Sequence, residues 1–411
     1  MKKFIFLLLL IRFFYAIEGF IDERRLLDSV SDAREYHELA LNISEGKGYV
    51  RDGKFEIKRP PFFPLFLSFF YLFKKTPLIS FFINIFLSIF ILFFAFKKLK
   101  GKDFNLFSLF FIFSPNLNLH SLFPTADFIF GFFLFFLYIF LKEEKIPYAI
   151  FILSLICYIK PVSLLLPPFI FLYFIFNKKI RKAFYLLFIP YLFSLIWVFV
   201  IYKHTGYPGF STIIPLNFYA YYLPFAKALR ERVPFSVARE KMSEELLSNL
   251  PDKYTDSEFY RSMIYISFKE LKHSFFYFLP SHLFFSLNTL ISPVSFKPLV
   301  FYTTCKEIKT PLQQEIFRFF FSGKIKEGFK KFWEERVIPL NLKGFFILFF
   351  SIFFNTLLLI LFLCKLKKNF KKSYLMLLIL FPLVFSTGIL GEARFRCMFE
   401  ILMIYFVFSN S

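Results

Sequence analysis

Residues that could do chemistry in this chain fall in four short stretches. In 31–71, SDAREYHELALNISEGKGYVRDGKFEIKRPPFFPLFLSFFY, Asp32 stands where a short helix opens, and Lys58 and Arg59 precede two prolines. Asp32 with Glu35 three residues on fits a capping box, in which both acids serve only the helix terminus. A carboxylate fixed in that way is equally placed to accept a proton from a hydroxyl or to hold a divalent cation. The residue before a proline is driven to extended backbone, so Arg59 projects from a stiff segment. A guanidinium held there suits a phosphate group, and plain interfacial anchoring is the alternative. Asp127, in FPTAD, tops an apolar stretch, where it is either a helix cap or a second functional acid. Lys160-Pro161 marks a tight turn between two short apolar runs. Near the C-terminus GEARFR sets Glu392, Arg394 and Arg396 within six residues, as an ionic site or as an internally paired solvated turn.

The elements that must position these residues are membrane spans. The chain has 411 residues, 57% of them hydrophobic and 74 of them Phe, with a net charge of +22. Apolar runs bounded by lysine clusters recur along it, which excludes a disordered chain and a cytosolic enzyme. Because the lysines flank the runs instead of lining one face, the charge sets topology and does not mark a nucleic-acid partner. Thirteen glycines leave no Walker loop and no GxGxxG, and the four cysteines and five histidines have no metal-site spacing. ATP-driven pumping and Rossmann chemistry are thereby disfavoured.

The first apolar run continues past Arg12 to residue 21 without a small-residue cleavage site, so it reads as a retained span. Further spans are expected at 78–96, 104–120, 126–141, 146–159, 162–176, 183–201, 345–363, 374–390 and 397–408, about ten in all. The pair at 146–176 is too short for two full crossings and is expected as a short hairpin. With the N-terminus inside, the clusters at 97–102, 178–182 and 365–372 all fall inside, as the positive-inside bias requires. Both termini are then cytoplasmic, and segments 22–77 and 202–344 lie outside. Thr255 and Glu258 form a capping box that opens a helix in the second segment. The Phe-rich 274–290 is placed in the interface, because one extra crossing would invert the last lysine cluster. The expected organisation is an N-terminal module at 1–201, an extracytoplasmic region at 202–344 for acceptor recognition, and C-terminal helices at 345–411.

At these stretches the sequence resembles the GT-C superfold, the polytopic glycosyltransferases that take a sugar from a polyprenyl-phosphate carrier. The likeness is to the dolichyl-phosphate-mannose protein mannosyltransferase-like group and the aminoarabinose transferases. SDAREYHELALNISEGKGY resembles the family's first-loop pattern, KRPPFFPLF its basic-Pro-Pro segment, and CYIKPVSLLLPP its basic-Pro hairpin. GEARFRCMFEIL resembles the Glu-x-Arg-Tyr-Arg motif, with Phe395 in place of Tyr. The first loop has the single acid Asp32 where the protein mannosyltransferases have an Asp-Glu pair.

The resemblance implies an all-α integral membrane protein with amphipathic juxtamembrane helices in the first outer loop. Its activity would be inverting transfer of a sugar to an acceptor hydroxyl of a lipid, glycan or protein at the extracytoplasmic face of the plasma membrane. Asp32 would act as base, with Lys58, Arg59, Lys160, Arg394 and Arg396 on the lipid phosphate. Asp127 and Glu392 are secondary acids, and with Asp32 would ligate a divalent cation if one is used. A flippase or transporter of lipid-linked sugars, and an outer-face hydrolase or polymerase of lipid-linked glycans, are the alternatives. A transporter predicts polar sites near the midplane.

Overall fold

The computed structural model describes residues 1–292, 299–302, 316, 319, 323–390 and 393–409. Helices dominate it. In chain order they are α1 (Lys2–Ile21), α2 (Arg24–Asp28), α3 (Ser31–Ser44), α4 (Phe62–Tyr71), α5 (Leu78–Lys98), α6 (Gly101–Phe113) and α7 (Pro115–His120). There follow α8 (Ala126–Lys142), α9 (Ile146–Cys157), α10 (Leu166–Phe176), α11 (Ile180–Thr205), α12 (Ile213–Asn217), α13 (Leu223–Glu231) and α14 (Phe235–Ser248). The chain then runs through α15 (Asp256–Ile291), α16 (Ile325–Phe332), α17 (Leu342–Lys368), α18 (Tyr374–Phe385) and α19 (Ala393–Phe408). The sheet among the described residues is one hairpin, β1 (Val50–Arg51) with β2 (Lys54–Phe55).

Four helices, α1, α5, α11 and α17, are long and apolar enough to cross a membrane, and the chain is a helical integral membrane protein. The other expected spans are also helical but shorter. Residues 104–120 do not form one rod: Ser114 ends α6, its hydroxyl accepts from the Leu117 amide, and Pro115 opens the buried α7. The 146–176 pair is a short hairpin, with a 3-10 turn at Pro161–Leu165 joining α9 to α10. Expected span 374–390 ends as an α-helix at Phe385. The Phe-rich 274–290 is continuous with the helix that precedes it. It is the second half of α15, 36 residues long, whose start carries the expected Thr255–Glu258 capping box.

Ion pairs sort the helix ends. Glu143 and Glu144, at the α8–α9 turn, hold Lys98 at the end of α5, Lys145, and Lys179 and Lys182 at the α10–α11 turn. Lys365 of α17 reaches the carbonyl of Ser409 beyond α19. At the opposite end Lys343, starting α17, pairs with Glu18, ending α1. Helices α8, α9, α10 and α11 therefore alternate in direction, and Asp32, Asp127, Lys160 and Arg394 meet at the end away from Glu143 and Glu144.

The centre is the pair α8 and α19, which are buried along almost their whole length. Gly131 allows their close approach, because a Cβ there would stand 2.9 Å from the carbonyl oxygen of Cys397. Since Asp127 lies one turn before Gly131 and Arg394 one turn before Cys397, this contact fixes the two charged residues side by side.

Candidate active site

The first loop folds around Arg59. Asp52-Gly53, both with positive φ, make the two-residue turn of the β1–β2 hairpin, in which Val50 pairs with Phe55 and Arg51 with Lys54. The chain then passes through 57–59, bending at 58 and 59, and each carbonyl finds a donor. Thr212 N–H donates to Ile57 O (3.1 Å), the Ser211 hydroxyl to Lys58 O (2.6 Å) and the Tyr49 hydroxyl to Arg59 O (2.7 Å). After the prolines, Phe62 N–H donates to Tyr158 O (3.0 Å), tying this loop to the Lys160 turn. The Arg59 guanidinium lies over the Tyr36 ring of α3.

Asp32 and Glu35 do not form a capping box. α3 starts one residue earlier, at Ser31, with Val30 at the N-cap and no side-chain cap. Both acids instead face Arg59. Its Nη2 donates to Asp32 Oδ1 at 2.7 Å and its Nε to Glu35. Glu35 also accepts from Lys58 (2.6 Å) and pairs with Arg51 (3.2 Å), which in turn meets the buried Glu56 at 3.0 Å. Spacing three apart on a helix puts two carboxylates on one face, and here that face meets cations.

The other oxygen of Asp32 accepts from Nη2 of Arg394, at the start of α19. Arg394 spans two acids, because its Nε donates to Asp127 Oδ2 at 3.1 Å. Lys160, in the turn after α9, donates to the remaining oxygen of Asp127. Phe395 lies against both cations, 5.8 Å from Lys160 and 5.9 Å from Arg394. Asp32, Arg59, Asp127, Lys160 and Arg394, from four separate segments, thus form one connected network.

Burial pushes the Asp32 carboxyl up, but Arg394, Arg59 and Lys160 outweigh it and hold it well below the usual carboxylate range. Glu35 behaves alike: burial opposes ionisation, and Arg59 and Lys58 win. Arg59 is shifted the opposite way, with burial overcome by Asp32 and Glu35. The network is a fixed ionic lattice, with Asp32 unprotonated at neutral pH.

No family model, curated protein or solved structure matches the chain. What the site can do rests on its own geometry.

Of the residues singled out in the sequence, Arg396 does not join the network. It turns into the bundle, where it pairs with Glu400 (3.1 Å) and donates to the carbonyls of Leu290 (3.0 Å) and Ser292 (2.7 Å). Lys58 reaches the network only through Glu35. Glu392 lies outside the described residues. Among the described residues no group of three or more His, Cys, Asp or Glu side chains could hold a metal ion. Asp32 and Asp127 are each engaged by the chain's own cations, a poor donor set for a divalent one.

Sequence reasoning missed Glu35 as a partner of Arg59, as well as Arg51, Glu56 and Glu400. Glu400 sits in the last apolar run and accepts from Ser114 and from Asn116 (2.7 Å). The i, i+4 spacing from Arg396 was its available signal. Arg12 is also fully buried, donating to Leu117 O (2.6 Å) and to Ser121. Charge inside the bundle is thus richer than the apolar runs imply.

Proposed function

We propose that this chain is a membrane glycosyltransferase of the GT-C type, moving a sugar from a polyprenyl-phosphate carrier to an acceptor hydroxyl. The observation that carries the reading is the convergence of Asp32, Arg59, Asp127, Lys160 and Arg394 at one end of the bundle. Departure of a polyprenyl phosphate builds negative charge on phosphate oxygens, and two guanidiniums and an ammonium fixed before the reaction stabilise that charge without reorganising. Asp32 takes the proton of the attacking hydroxyl as its oxygen bonds to C1 on the side opposite the phosphate, so configuration inverts. Asp127 touches neither reactant. It orients Lys160 and Arg394.

The positive-inside bias of the lysine clusters puts the Asp32 end on the extracytoplasmic side, with both termini inside and about ten crossings, the shorter helices included. That side suits a donor whose energy resides in its phosphate ester and needs no nucleotide. Lys58 acts at the rim through Glu35, while Arg396 supports α19 from within. The helices between 202 and 344 are the region assigned to the acceptor; Tyr219 and Tyr222 there are buried and Tyr221 is half-buried.

The test is release of polyprenyl phosphate by purified protein from a panel of polyprenyl-phosphate sugars, wild type beside Asp32→Asn. Turnover with one donor, abolished in the variant, is expected; full activity of Asp32→Asn sinks the reading. A second reading, a transporter of lipid-linked sugars, draws on the buried Arg12 and the Arg396–Glu400 pair. Carrier movement across proteoliposomes without sugar release would favour it.

A further inference from the structure

The arginines proposed to hold the leaving phosphate are not open to it as they stand. Asp32 sits between them, one oxygen on Nη2 of Arg59 and the other on Nη2 of Arg394. A carboxylate bridging two guanidiniums holds the position that two oxygens of a phosphate group would hold. Asp32 is also the most exposed of the five network residues, its side chain 20% accessible against 13% for Lys160 and 0% for Asp127. Its two partners have anchors of their own that do not depend on it. Arg59 keeps Glu35 on Nε, the stacking on Tyr36 and a backbone tied at Ile57, Lys58 and Arg59; Arg394 keeps Asp127 on Nε.

Resting on the glycosyltransferase reading, we propose that Asp32 is a built-in competitor for the phosphate seat, and that arrival of the donor phosphate displaces it and thereby frees it as the base. Each inner anchor leaves the outer Nη2 of its arginine to be exchanged, so the seat survives when its occupant changes. One anion replaces another between the same two cations, so the two guanidiniums are never left unpaired. The displaced carboxylate has lost its two guanidiniums and gained a phosphate as neighbour. Both changes strengthen it as a proton acceptor. In the step that follows, the acceptor O–H proton passes to Asp32 and the acceptor oxygen bonds to C1. The C1–O bond to phosphate breaks with its electron pair leaving on the phosphate, which the two arginines receive. Without donor, Asp32 stays locked and water gains no base.

The consequence has an unusual sign: removing the proposed base should tighten donor binding. If the seat is free about one time in ten in the wild type, a chain without the competitor binds about tenfold more tightly. The probes are a short-chain polyprenyl phosphate and, separately, inorganic phosphate, each titrated into wild type, Asp32→Asn and Asp32→Ala in detergent. Both variants are expected to bind the lipid about tenfold more tightly and to transfer no sugar. A matching gain with inorganic phosphate would show that the seat reads the phosphate itself; a gain with the lipid alone would show that the chain and headgroup are read together. Binding by the variants at or below the wild-type affinity overturns the proposal and leaves the transferase reading standing. Absence of binding by all three proteins overturns both. Infrared difference spectra of the wild type on adding the lipid give a reading without substitution: a shifted carboxylate stretch is expected, and an unchanged one refutes displacement.

Discussion

Asp127→Asn is the sharpest probe of the network. Asp127 is wholly buried and accepts from Lys160 and from Arg394, so each of its oxygens neutralises one cation. The amide keeps a single acceptor and no charge. Arg394 still has Asp32, but Lys160, 13% exposed, loses its ion-pair partner and keeps only the longer-range attraction of Asp32. Removing one member of a buried pair costs about 3–5 kcal/mol, and the bonds kept by Arg394 put this case near the lower bound, about 3 kcal/mol. Removing both partners is different. In Asp127→Asn with Lys160→Met the orphaned ammonium is gone, and the double variant should recover to within about 1 kcal/mol of the wild type. Unfolding in detergent is commonly irreversible, so the readout is the half-life of the monodisperse species at a fixed elevated temperature. The single variant should decay far faster than the double, and on the proposed function neither should transfer sugar at the wild-type rate. A single variant as durable as the wild type, or a double less durable than the single, would refute the pairing.

Three further outcomes follow from the same geometry. Glu400→Gln removes the anion paired with the buried Arg396, and should cost about 3 kcal/mol in the same half-life assay. Gly131→Ala places a methyl 2.9 Å from the Cys397 carbonyl; about 1–3 kcal/mol of overpacking is expected, with sugar transfer falling more than stability because Arg394 rides on the displaced α19. The Asp32 and Glu35 carboxyls are held below their usual values. Their stabilising contribution is therefore complete above about pH 4 and is lost only as pH falls further, through the lowered values. Half-lives at graded pH should show no loss from these groups between pH 5 and 8, and variants Asp32→Asn and Glu35→Gln that remove a titration centred near 6 would contradict this.

Much of the frame was legible because apolar runs and their lysine flanks are dictated by the bilayer. Each expected span proved helical, and the short 146–176 pair was readable from its length alone. Local signals went unread where a second explanation was cheaper. Asp-Gly at 52–53 announces the hairpin that forms there. Glu35 three residues after Asp32 suits a helix cap as well as a shared ionic face, and nothing local distinguishes them. Arg396 and Arg394 differ by two positions, which on a helix turns them to different sides; one enters the site and the other the interior. Which cation meets which acid depends on how four distant segments dock, and no periodicity carries that.

The last member of the network to be synthesised is Arg394, on the final helix. Both members of the Asp127–Lys160 pair and of the Asp32–Arg59 pair precede α19 in the chain, so neither pair needs Arg394 in order to form. Closing these two pairs into one lattice waits for α19, which threads into the middle of the bundle beside α8. A chain that stops short of residue 393 lacks its central helix. Cellular quality control would meet it as an open-cored bundle, so expression level alone would be a poor guide to whether the site had formed.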